Sequence, residues 1–533
     1  MGLFLNRGNE EFKQAVNSEI YLDKTGTIEV FDDLIGTEQR YACVSRPRRF
    51  GKSITANMPA AFFERGCDSR ALFENREIAR RPDWDRNLNK YDVIRIDIAD
   101  IRSRRNTPEE ALDYIDEKVI KELDAAYPGF VPENCGSIAD ALAEINEANG
   151  AQFIIIIDEW DCFFRDERSN KSVQDRYINL LRGLFKGNSS KKFTALAYIT
   201  GILPIKKYNS ESALNNFYEY TMTDPARLAK YIGFTEDEVK GLCEKYEMDY
   251  EQVCSWYDGY SFPRAKHIFG PNSVVRAMLS GSCKNYWSQT VAFNSLATYI
   301  GMNFDGLKDA ILSMMAGNRE RVRVRTYAND MVSFRSKDDV MTMLIHLGYL
   351  AYDELTEEAY IPNKEVRMCF EDTLTATDWT EVVESIDASE KLLKSLAKGD
   401  AEAVAAGLEE CHRKNTSILK YNDENSLAVS IGLAFYSARK EYEVVREMPA
   451  GEGFADMVFV PKYNCTKPPM IIELKWDQTA ETAISQIKNK HYPECLGDYR
   501  GEVLLVGVSY EKDGPEAKKH RCVIEKYLHI ATK

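Results

Sequence analysis

Four short apolar runs, separated by amphipathic helical stretches, constrain the fold of the first part of the chain more than any other feature. They occupy residues 41–45, 93–98, 153–157 and 194–199. The second and third runs are apolar enough to be buried on both faces, which is typical of parallel strands covered by helices. The pattern predicts an α/β domain with a parallel sheet built from right-handed crossovers.

The segment after the first run has the pattern of a phosphate-binding loop. Residues 45–53 read Ser-Arg-Pro-Arg-Arg-Phe-Gly-Lys-Ser and lie between a predicted strand and a predicted helix. We expect backbone amides at the helix N-terminus to hold a β-phosphate, Lys52 to reach the β and γ oxygens, and Ser53 to bind Mg²⁺. Arg46 replaces the first glycine of the pattern, so the loop has to turn without the residue that tolerates any φ and ψ.

The third apolar run ends in two adjacent carboxylates, Asp158 and Glu159. We expect Asp158 to hold the metal through water and Glu159 to orient the attacking water. Thr200 ends the fourth run, where its hydroxyl could lie near the γ-phosphate, because the carboxyl ends of parallel strands meet at one edge of the sheet. A serine-capped helix start and a solvated strand end are the structural alternatives for these motifs. The residues predicted to bind ATP or its metal ion are Arg49, Gly51, Lys52, Ser53, Asp158 and Thr200.

The remainder of the chain divides into a helical part and a small mixed domain. Residues 221–420 have a mainly helical pattern without a recognisable catalytic cluster. After residue 422 the predicted order is αβββαβ, with helices at about 424–439 and 481–491 and a last strand at 502–509. The predicted domains are a P-loop domain (1–220), a helical lid or winged-helix-like region (221–300), a helical connector (301–420) and the small αβββαβ domain (421–533).

Two predicted strands of the last domain carry a cluster suited to phosphodiester hydrolysis. Asp456 lies on one strand, and Glu473 and Lys475 lie two residues apart on the next, so these two share a face. Two carboxylates beside a scissile phosphate are the oxygen ligands that Mg²⁺, or Mn²⁺ in its place, prefers. The ion would activate water while Lys475 orients or deprotonates the nucleophile. The alternative is a simple ion pair between Glu473 and Lys475.

Residues on the flanking predicted helices extend this cluster. Gln486 could complete the site from the following helix, and Lys490 and Tyr492 are available for a phosphate backbone. Glu424, on the preceding helix, is a further candidate ligand or proton acceptor.

The composition constrains the partners, the metal sites and the cellular location that we expect for the chain. The formal net charge of −15 means that any nucleic-acid surface has to be a local basic patch. Twelve cysteines without a CxxC pair, and without a histidine at zinc-ligand spacing, predict neither a disulfide framework nor a zinc site. The N-terminus lacks a long apolar segment, and no stretch approaches the roughly 20 apolar residues of a membrane span. We therefore expect a soluble, cytoplasmic protein without a membrane partner.

These motifs together resemble a large, mostly bacterial family in which an AAA-ATPase-like domain is joined to a PD-(D/E)XK nuclease domain. The resemblance implies an ATP-binding module with a helical lid and, in residues 421–533, a Mg²⁺-dependent nuclease domain with a restriction-endonuclease-like fold. In that family an arginine at the position of Arg46 is usual. The likeness covers nearly the whole chain and is carried by residues 21–25, 46–53, 157–161, 199–201, 233–239, 256–260, 472–476 and 486–492.

The expected function is that of a hydrolase: an ATP-dependent or ATP-regulated nuclease acting on DNA in preference to RNA, in defence or in the processing of mobile elements. The catalytic residues expected are Asp456, Glu473, Lys475, Gln486 and Glu159, and the metal ligands are Asp456, Glu473, Ser53 and Asp158. The alternative is a non-enzymatic nucleotide-dependent switch or scaffold, whose inactive nuclease-like domain binds a protein or nucleic-acid partner. A homo-oligomer is a further expectation, because AAA-like modules often assemble.

Overall fold

The computed structural model divides the chain into two compact units. One consists of Met1–Gly306 and Arg319–Cys369, and the other of Leu307–Asn318 and Phe370–Lys533. The boundaries of the four predicted domains stay a prediction beside this division. The structure describes residues 2–533 except 168–169, 206–213, 288–291, 303, 305, 316, 328–333, 377–379, 416–426, 428–430, 433, 436, 439–440, 463–464, 498, 513–518 and 530–533.

The helices are numbered here in chain order. Up to residue 200 they are α1 (Glu10–Val16), α2 (Gly26–Leu34), α3 (Lys52–Phe63), α4 (Arg70–Phe73), α5 (Ile98–Ser103), α6 (Pro108–Ala126), α7 (Ile138–Asn149), α8 (Cys162–Asp166), α9 (Lys171–Phe185) and α10 (Asn188–Phe193). Beyond it they are α11 (Glu236–Lys245), α12 (Tyr250–Tyr257), α13 (Pro271–Ser280), α14 (Ala292–Ile300), α15 (Leu307–Met315), α16 (Lys337–Leu347), α17 (Lys364–Ala376), α18 (Thr380–Lys398), α19 (Ala401–Asn415) and α20 (Ala480–Asn489).

The strands form two five-stranded sheets and smaller antiparallel pieces. They are β1 (Tyr41–Ser45), β2 (Asp92–Asp97), β3 (Phe153–Asp158), β4 (Thr194–Gly201), β5 (Tyr218–Tyr220), β6 (Tyr260–Phe262), β7 (Ala265–Ile268), β8 (Glu320–Arg321), β9 (Ala351–Asp353), β10 (Glu358–Tyr360), β11 (Tyr442–Ala450), β12 (Gly453–Pro461), β13 (Met470–Trp476), β14 (Gly501–Tyr510) and β15 (His520–His529).

The first unit contains a parallel sheet in the order β2-β3-β4-β1-β5. The four predicted strands are confirmed, with ends that differ by at most two residues. Strand β5 was not predicted, because it has three residues and only one of them is buried. Strand β4 lies between β1 and β3, so one strand separates the phosphate-loop strand from the strand that ends in carboxylates.

Strand β3 shows why a continuous apolar run predicts a covered sheet. Phe153, Ile155 and Ile157 pack in the core on one face, and Ile154 and Ile156 pack in the core on the other. All six residues of the strand are buried. Removing such side chains from water on both faces is the main favourable term that holds the helices against the sheet.

Helices predominate along the chain from β5 to β11, as the sequence predicts, but short antiparallel strands interrupt them. Strands β6 and β7 form a hairpin, and β8, β10 and β9 form a small sheet. Helix α13 begins after Gly270, which is its N-cap, and Pro271 occupies its first turn. Proline suits that position because its missing N–H would have no helical partner there.

The second unit contains a mixed sheet in the order β11-β12-β13-β14-β15. Strands β13 and β14 are parallel and the other neighbours are antiparallel. The described elements follow the predicted order of three strands, a helix and a strand, while the predicted helix at 424–439 lies largely outside the described residues. Strand β15 was not predicted, because eight of its ten residues are not buried and its longest apolar run has only three residues.

Two cores cover the faces of this sheet. Ile472 and Leu474 of β13 pack with Leu408 of α19 on one face. Ile471 packs with Ile484 of α20 on the other. Among the helices of the described residues, none has both the length and the apolar run needed to cross a bilayer.

Candidate functional site

The phosphate-loop segment turns at two residues in the left-handed region. Arg49 has a φ of 69° and Gly51 a φ of 75°, and Gly51 is the N-cap of α3. The N–H of Arg46 instead donates to the carbonyl of Gly201 at 3.0 Å, which extends the pairing of β1 with β4 by one residue. The loop therefore does not need a glycine at position 46, because its sharp turn comes later.

Lys52 connects this loop to the end of β3. Its side chain is buried, and Nζ donates to the carbonyl of Pro47 at 3.1 Å and lies 3.5 Å from Oε1 of Glu159. Burial lowers the pKa of Lys52, and the carboxylates of Glu159 and Asp161 oppose that shift. The ammonium thus has protein acceptors that phosphate oxygens would replace.

Asp158 is a buried carboxylate whose two oxygens differ in their hydrogen bonding. Its Oδ1 accepts the N–H of Glu159 at 3.0 Å, and its buried Oδ2 has no hydrogen-bond partner among the described residues. Burial, followed by the charges of Asp97 and Glu159, raises the pKa of Asp158 to about 6, and the nearby Ser53 hydroxyl lowers it in part. Surplus negative charge and an unpaired buried oxygen suit a cation at this position.

The predicted edge of the sheet is formed, but one of its side chains is engaged inside the sheet. Asp158 is in register with Asp97 on one side and with Thr200 on the other. The Thr200 hydroxyl is buried and donates to the carbonyl of Val44 at 2.9 Å. A contact between this hydroxyl and a γ-phosphate would require that bond to break.

Arg165 is a member of this cluster that the sequence reading missed. Its Nη2 lies 2.5 Å from Oε2 of Glu159, and its Nε lies 3.1 Å from Oδ2 of Asp161. Glu159 itself has a φ of 52°, in the left-handed region. Asp161 is the N-cap of α8 and Arg165 lies four residues after it, and this spacing was the signal available in the sequence.

Asp161 ties this cluster to the end of β4. Its Oδ2 accepts the N–H groups of Ile202 at 3.0 Å and Leu203 at 2.9 Å. A Cβ on Gly201 would lie 2.5 Å from Oδ1 of Asp161, so only glycine leaves room for this carboxylate. Burial raises the pKa of Asp161, and Arg165 opposes that shift.

The side chain of Arg49 points to a neighbouring loop of the same unit. Its Nη1 donates to the carbonyl of Tyr286 at 2.7 Å. The next residue, Phe50, packs edge-on against Tyr260 with ring centroids 5.3 Å apart. The predicted role of Arg49 in nucleotide binding stays a prediction, and a phosphate would compete with the Tyr286 carbonyl for its guanidinium.

Asp456 and Glu473 lie side by side on two antiparallel strands of the second unit. Met457 pairs with Ile472, which sets the residues next to them opposite each other. Oδ2 of Asp456 accepts the N–H of Leu474 at 2.7 Å. The two carboxylates thus face the same side of the sheet, the side that α20 covers.

Glu473 is held from two sides and is only 2% exposed. Its Oε1 accepts a hydrogen bond from Nζ of Lys475 at 3.0 Å and another from Nε2 of Gln486. Nε2 of Gln486 also lies 3.0 Å from the hydroxyl of Tyr492. Oε2 of Glu473 is buried without a hydrogen-bond partner in the part of the chain that the structure describes.

The electrostatics of this cluster favour a bound cation. Burial, followed by the charge of Asp456, raises the pKa of Glu473 to about 7, and Lys475 opposes the shift. Two carboxylates that repel each other, one with an unpaired buried oxygen, fit a divalent ion with oxygen ligands. The predicted candidate Glu424 lies outside the described residues.

Family models match both ends of the chain. Residues 7–209 match the model described as "Predicted AAA-ATPase", and residues 422–518 match the PD-(D/E)XK nuclease superfamily. A protein of Azotobacter chroococcum mcd 1, described as an uncharacterized protein in the vnfD 5' region, is 24% identical over 275 residues. The match covers 51% of this chain and 50% of that protein, so the chain spans about half the length of the curated relative it matches.

Two solved structures from Aeropyrum pernix are similar to the chain. The ORC1 protein in complex with DNA has 13% identity and a TM-score of 0.25, and the match covers 71% of this chain and 99% of that one. The ORC2 protein in ADPNP-ADP complexes has 11% identity and a TM-score of 0.29, with 70% and 99% covered. The two family matches thus find in one chain a predicted AAA-ATPase domain, residues 7–209, and a PD-(D/E)XK nuclease superfamily domain, residues 422–518.

Proposed function

We propose that this chain is an ATP-controlled, metal-dependent nuclease that hydrolyses phosphodiester bonds in DNA. The observation that carries the proposal is the arrangement of Asp456, Glu473 and Lys475 on one face of two adjacent strands. The unpaired Oε2 of Glu473 supports it further, because a buried carboxylate oxygen without a partner is costly in a site that has only a structural role.

Asp456 and Glu473 would hold the Mg²⁺ ion, which when bound lowers the pKa of water and offsets charge on the phosphate. Gln486 and Lys475 both donate hydrogen bonds to Oε1 of Glu473, which leaves Oε2 of the same carboxylate for the ion. Lys475, as a nearby ammonium, would orient the nucleophile and stabilise negative charge on the phosphate oxygens.

ATP would bind at the P-loop end of the chain. Lys52 would exchange the Pro47 carbonyl and Glu159 for phosphate oxygens, and Ser53 and Asp158 would hold the nucleotide's Mg²⁺. Glu159 would orient the attacking water, with Arg165 fixing the direction of its carboxylate. Control by ATP is inferred from the joining of the two domains in one chain.

Purified full-length protein with supercoiled plasmid DNA tests the proposal. Cleavage should require Mg²⁺ or Mn²⁺, and Lys475→Ala should lower the rate about 100-fold or more, because it removes an electrostatic contact to the reacting phosphate. Lys526→Ala is the matched control, since Lys526 forms an exposed pair with Glu502 in the same domain. Equal cleavage by wild type and Lys475→Ala would rule out the assigned site.

The role of ATP is tested in the same assay. Lys52→Ala should abolish nucleotide binding and remove any effect of ATP on cleavage, while basal cleavage persists. Cleavage that is unchanged by ATP or by a non-hydrolysable analogue in the wild type contradicts control by nucleotide. Replacing the plasmid by single-stranded RNA shows whether the substrate is DNA or RNA.

A nucleotide-dependent switch with an inactive nuclease-like domain is the second candidate function. The ion pair between Glu473 and Lys475 favours it, because one carboxylate oxygen is satisfied without a metal. Calorimetric titration separates the two. Binding of an ATP analogue without any Mg²⁺ or Mn²⁺ binding that depends on Asp456 and Glu473 supports the switch, and metal binding lost in Asp456→Asn supports the nuclease.

A further inference from the structure

A second group of metal-ligating side chains lies in the C-terminal unit, away from the nuclease cluster. It consists of Glu409 and His412 of α19 and His520 at the start of β15. One ligand atom from each of the three residues lies within 4.8 Å of the other two. Glu409 and His520 are 111 residues apart in the sequence, so the group has no short-spacing signature there.

The secondary structure positions the three side chains. Glu409 and His412 are three residues apart on α19, so they project from the same face of the helix. His520 pairs with Tyr510 at the end of the sheet that α19 covers. This is the face opposite to Glu473, because Glu473 shares the α20 side with Ile471. The two clusters are therefore separated by the sheet.

Glu409 already joins the helix to the strand. Its Oε2 lies 2.9 Å from Nδ1 of His520 and accepts the N–H groups of Lys519 and His520, each at 3.0 Å. The rings of His412 and His520 are perpendicular, with centroids 5.2 Å apart. A carboxylate that orients one imidazole beside a second imidazole is an arrangement that metal sites use.

Burial suits the imidazoles to metal binding. His412 is 7% exposed and His520 is 5% exposed, whereas the Glu409 side chain is 20% exposed and leaves a path to solvent. A buried imidazole is costly to charge. Neutral imidazole is the form that binds a metal ion.

We propose that Glu409, His412 and His520 form a binding site for a divalent transition-metal ion, with Zn²⁺ as the ion of choice. Two imidazole nitrogens and one carboxylate oxygen are a ligand set that Zn²⁺ accepts and that Mg²⁺, which prefers oxygen, does not. The ion cross-links α19 to β15 and leaves one position for water or a further ligand. This site does not depend on the proposed nuclease activity.

Metal binding by full-length protein, stripped with a chelator, tests the proposal. Titration with Zn²⁺ against a chromophoric chelator should show a single high-affinity equivalent that excess Mg²⁺ does not displace. His412→Gln and His520→Gln should each weaken binding about 10-fold or more, the size of effect that losing a ligand-orienting contact alone can have. Zn²⁺ should also raise the melting temperature of the wild type but not of these variants.

Two controls locate the ion. His491→Gln changes an exposed histidine of the same unit and should leave Zn²⁺ affinity unchanged. The double variant Asp456→Asn/Glu473→Gln should also retain Zn²⁺. Binding that is lost in this double variant and kept in His412→Gln and His520→Gln overturns the proposal.

A measurement on the wild type covers the case in which the histidine variants do not fold. X-ray absorption of the Zn²⁺-loaded protein should show a first shell of nitrogen and oxygen with imidazole scattering. A shell that contains sulfur, from any of the twelve free cysteines, or one without imidazole contradicts the site. So does a wild-type protein that takes up no Zn²⁺.

Discussion

Arg165 forms ion pairs with both Glu159 and Asp161. Glu159 is the carboxylate predicted to orient water, and Asp161 is the carboxylate that holds the end of β4. Asp161 is fully buried, and its Oδ2 is held by the N–H groups of Ile202 and Leu203. Arg165 therefore links the orientation of the Glu159 carboxylate to the stability of the ends of β3 and β4.

Arg165→Ala should destabilise the first unit by about 3 kcal/mol, because removal of one partner leaves the buried charge of Asp161 uncompensated. Thermal unfolding followed by circular dichroism measures the change. Arg176→Ala is the matched control, since Arg176 pairs with Asp113 on the surface and should cost under about 1 kcal/mol. An equally small loss for both variants would show that the pair with Asp161 is not structural.

Glu159→Gln should lower ATP turnover about 100-fold while ATP still binds, because the amide cannot accept a proton from the attacking water as a carboxylate can. Lys52 would lose a partner only 3.5 Å away but keep the carbonyl of Pro47. Phosphate release and the affinity for a fluorescent ATP analogue are the two measurements. A variant that loses binding and turnover together contradicts a role confined to hydrolysis.

The parallel sheet was predictable because its strands carry their signal locally. In β3 every residue is buried and the run is continuous, so a short window of sequence is enough. Strands β5 and β15 lack such a run, and each is fixed by pairing with a neighbour: β5 with β1, and β15 with β14. Pairing with a neighbouring strand leaves little signal in a short stretch of the paired strand's own sequence.

The candidate sites divide in the same way. The positions of Asp456, Glu473 and Lys475 follow from strand alternation, and the structure brings these side chains together. The direction of the Thr200 hydroxyl depends on the carbonyl of Val44 on another strand, which the sequence cannot show. Arg165 also escaped prediction, because a short acidic and basic segment usually indicates a solvated surface.

Glu365 should make the stability of the first unit depend on pH. It is buried, its Oε1 accepts the N–H groups of Tyr286 and Trp287, and burial raises its pKa to about 6. A carboxyl whose pKa is higher folded than unfolded binds more protons in the folded state, so stability falls as pH rises. Relative to Glu365→Gln, which keeps the acceptor oxygen, the wild type should lose about 2 kcal/mol between about pH 4 and pH 7.

Urea unfolding of both proteins across this range measures the effect. Glu236→Gln is the control, because the hydrogen bond from Lys240 lowers the pKa of Glu236 and its partly exposed carboxylate should give a small change of opposite sign. A constant difference between wild type and Glu365→Gln at every pH would show that Glu365 does not titrate in this range.

Gly507 determines how closely α20 can approach the sheet beneath Glu473. It is in register with Glu473, and a Cβ at this position would lie 2.2 Å from the carbonyl oxygen of Ala480 and 3.1 Å from Cβ of Ala483. Gly507→Ala should therefore push α20 outward and destabilise the domain by about 1–3 kcal/mol, as overpacking does. Because Gln486 is on α20 and bonds Glu473, the same shift should weaken metal binding at the nuclease cluster. Melting temperature and Mn²⁺ affinity are the measurements, and Gly432→Ala, where a Cβ meets nothing within 4 Å, should change neither.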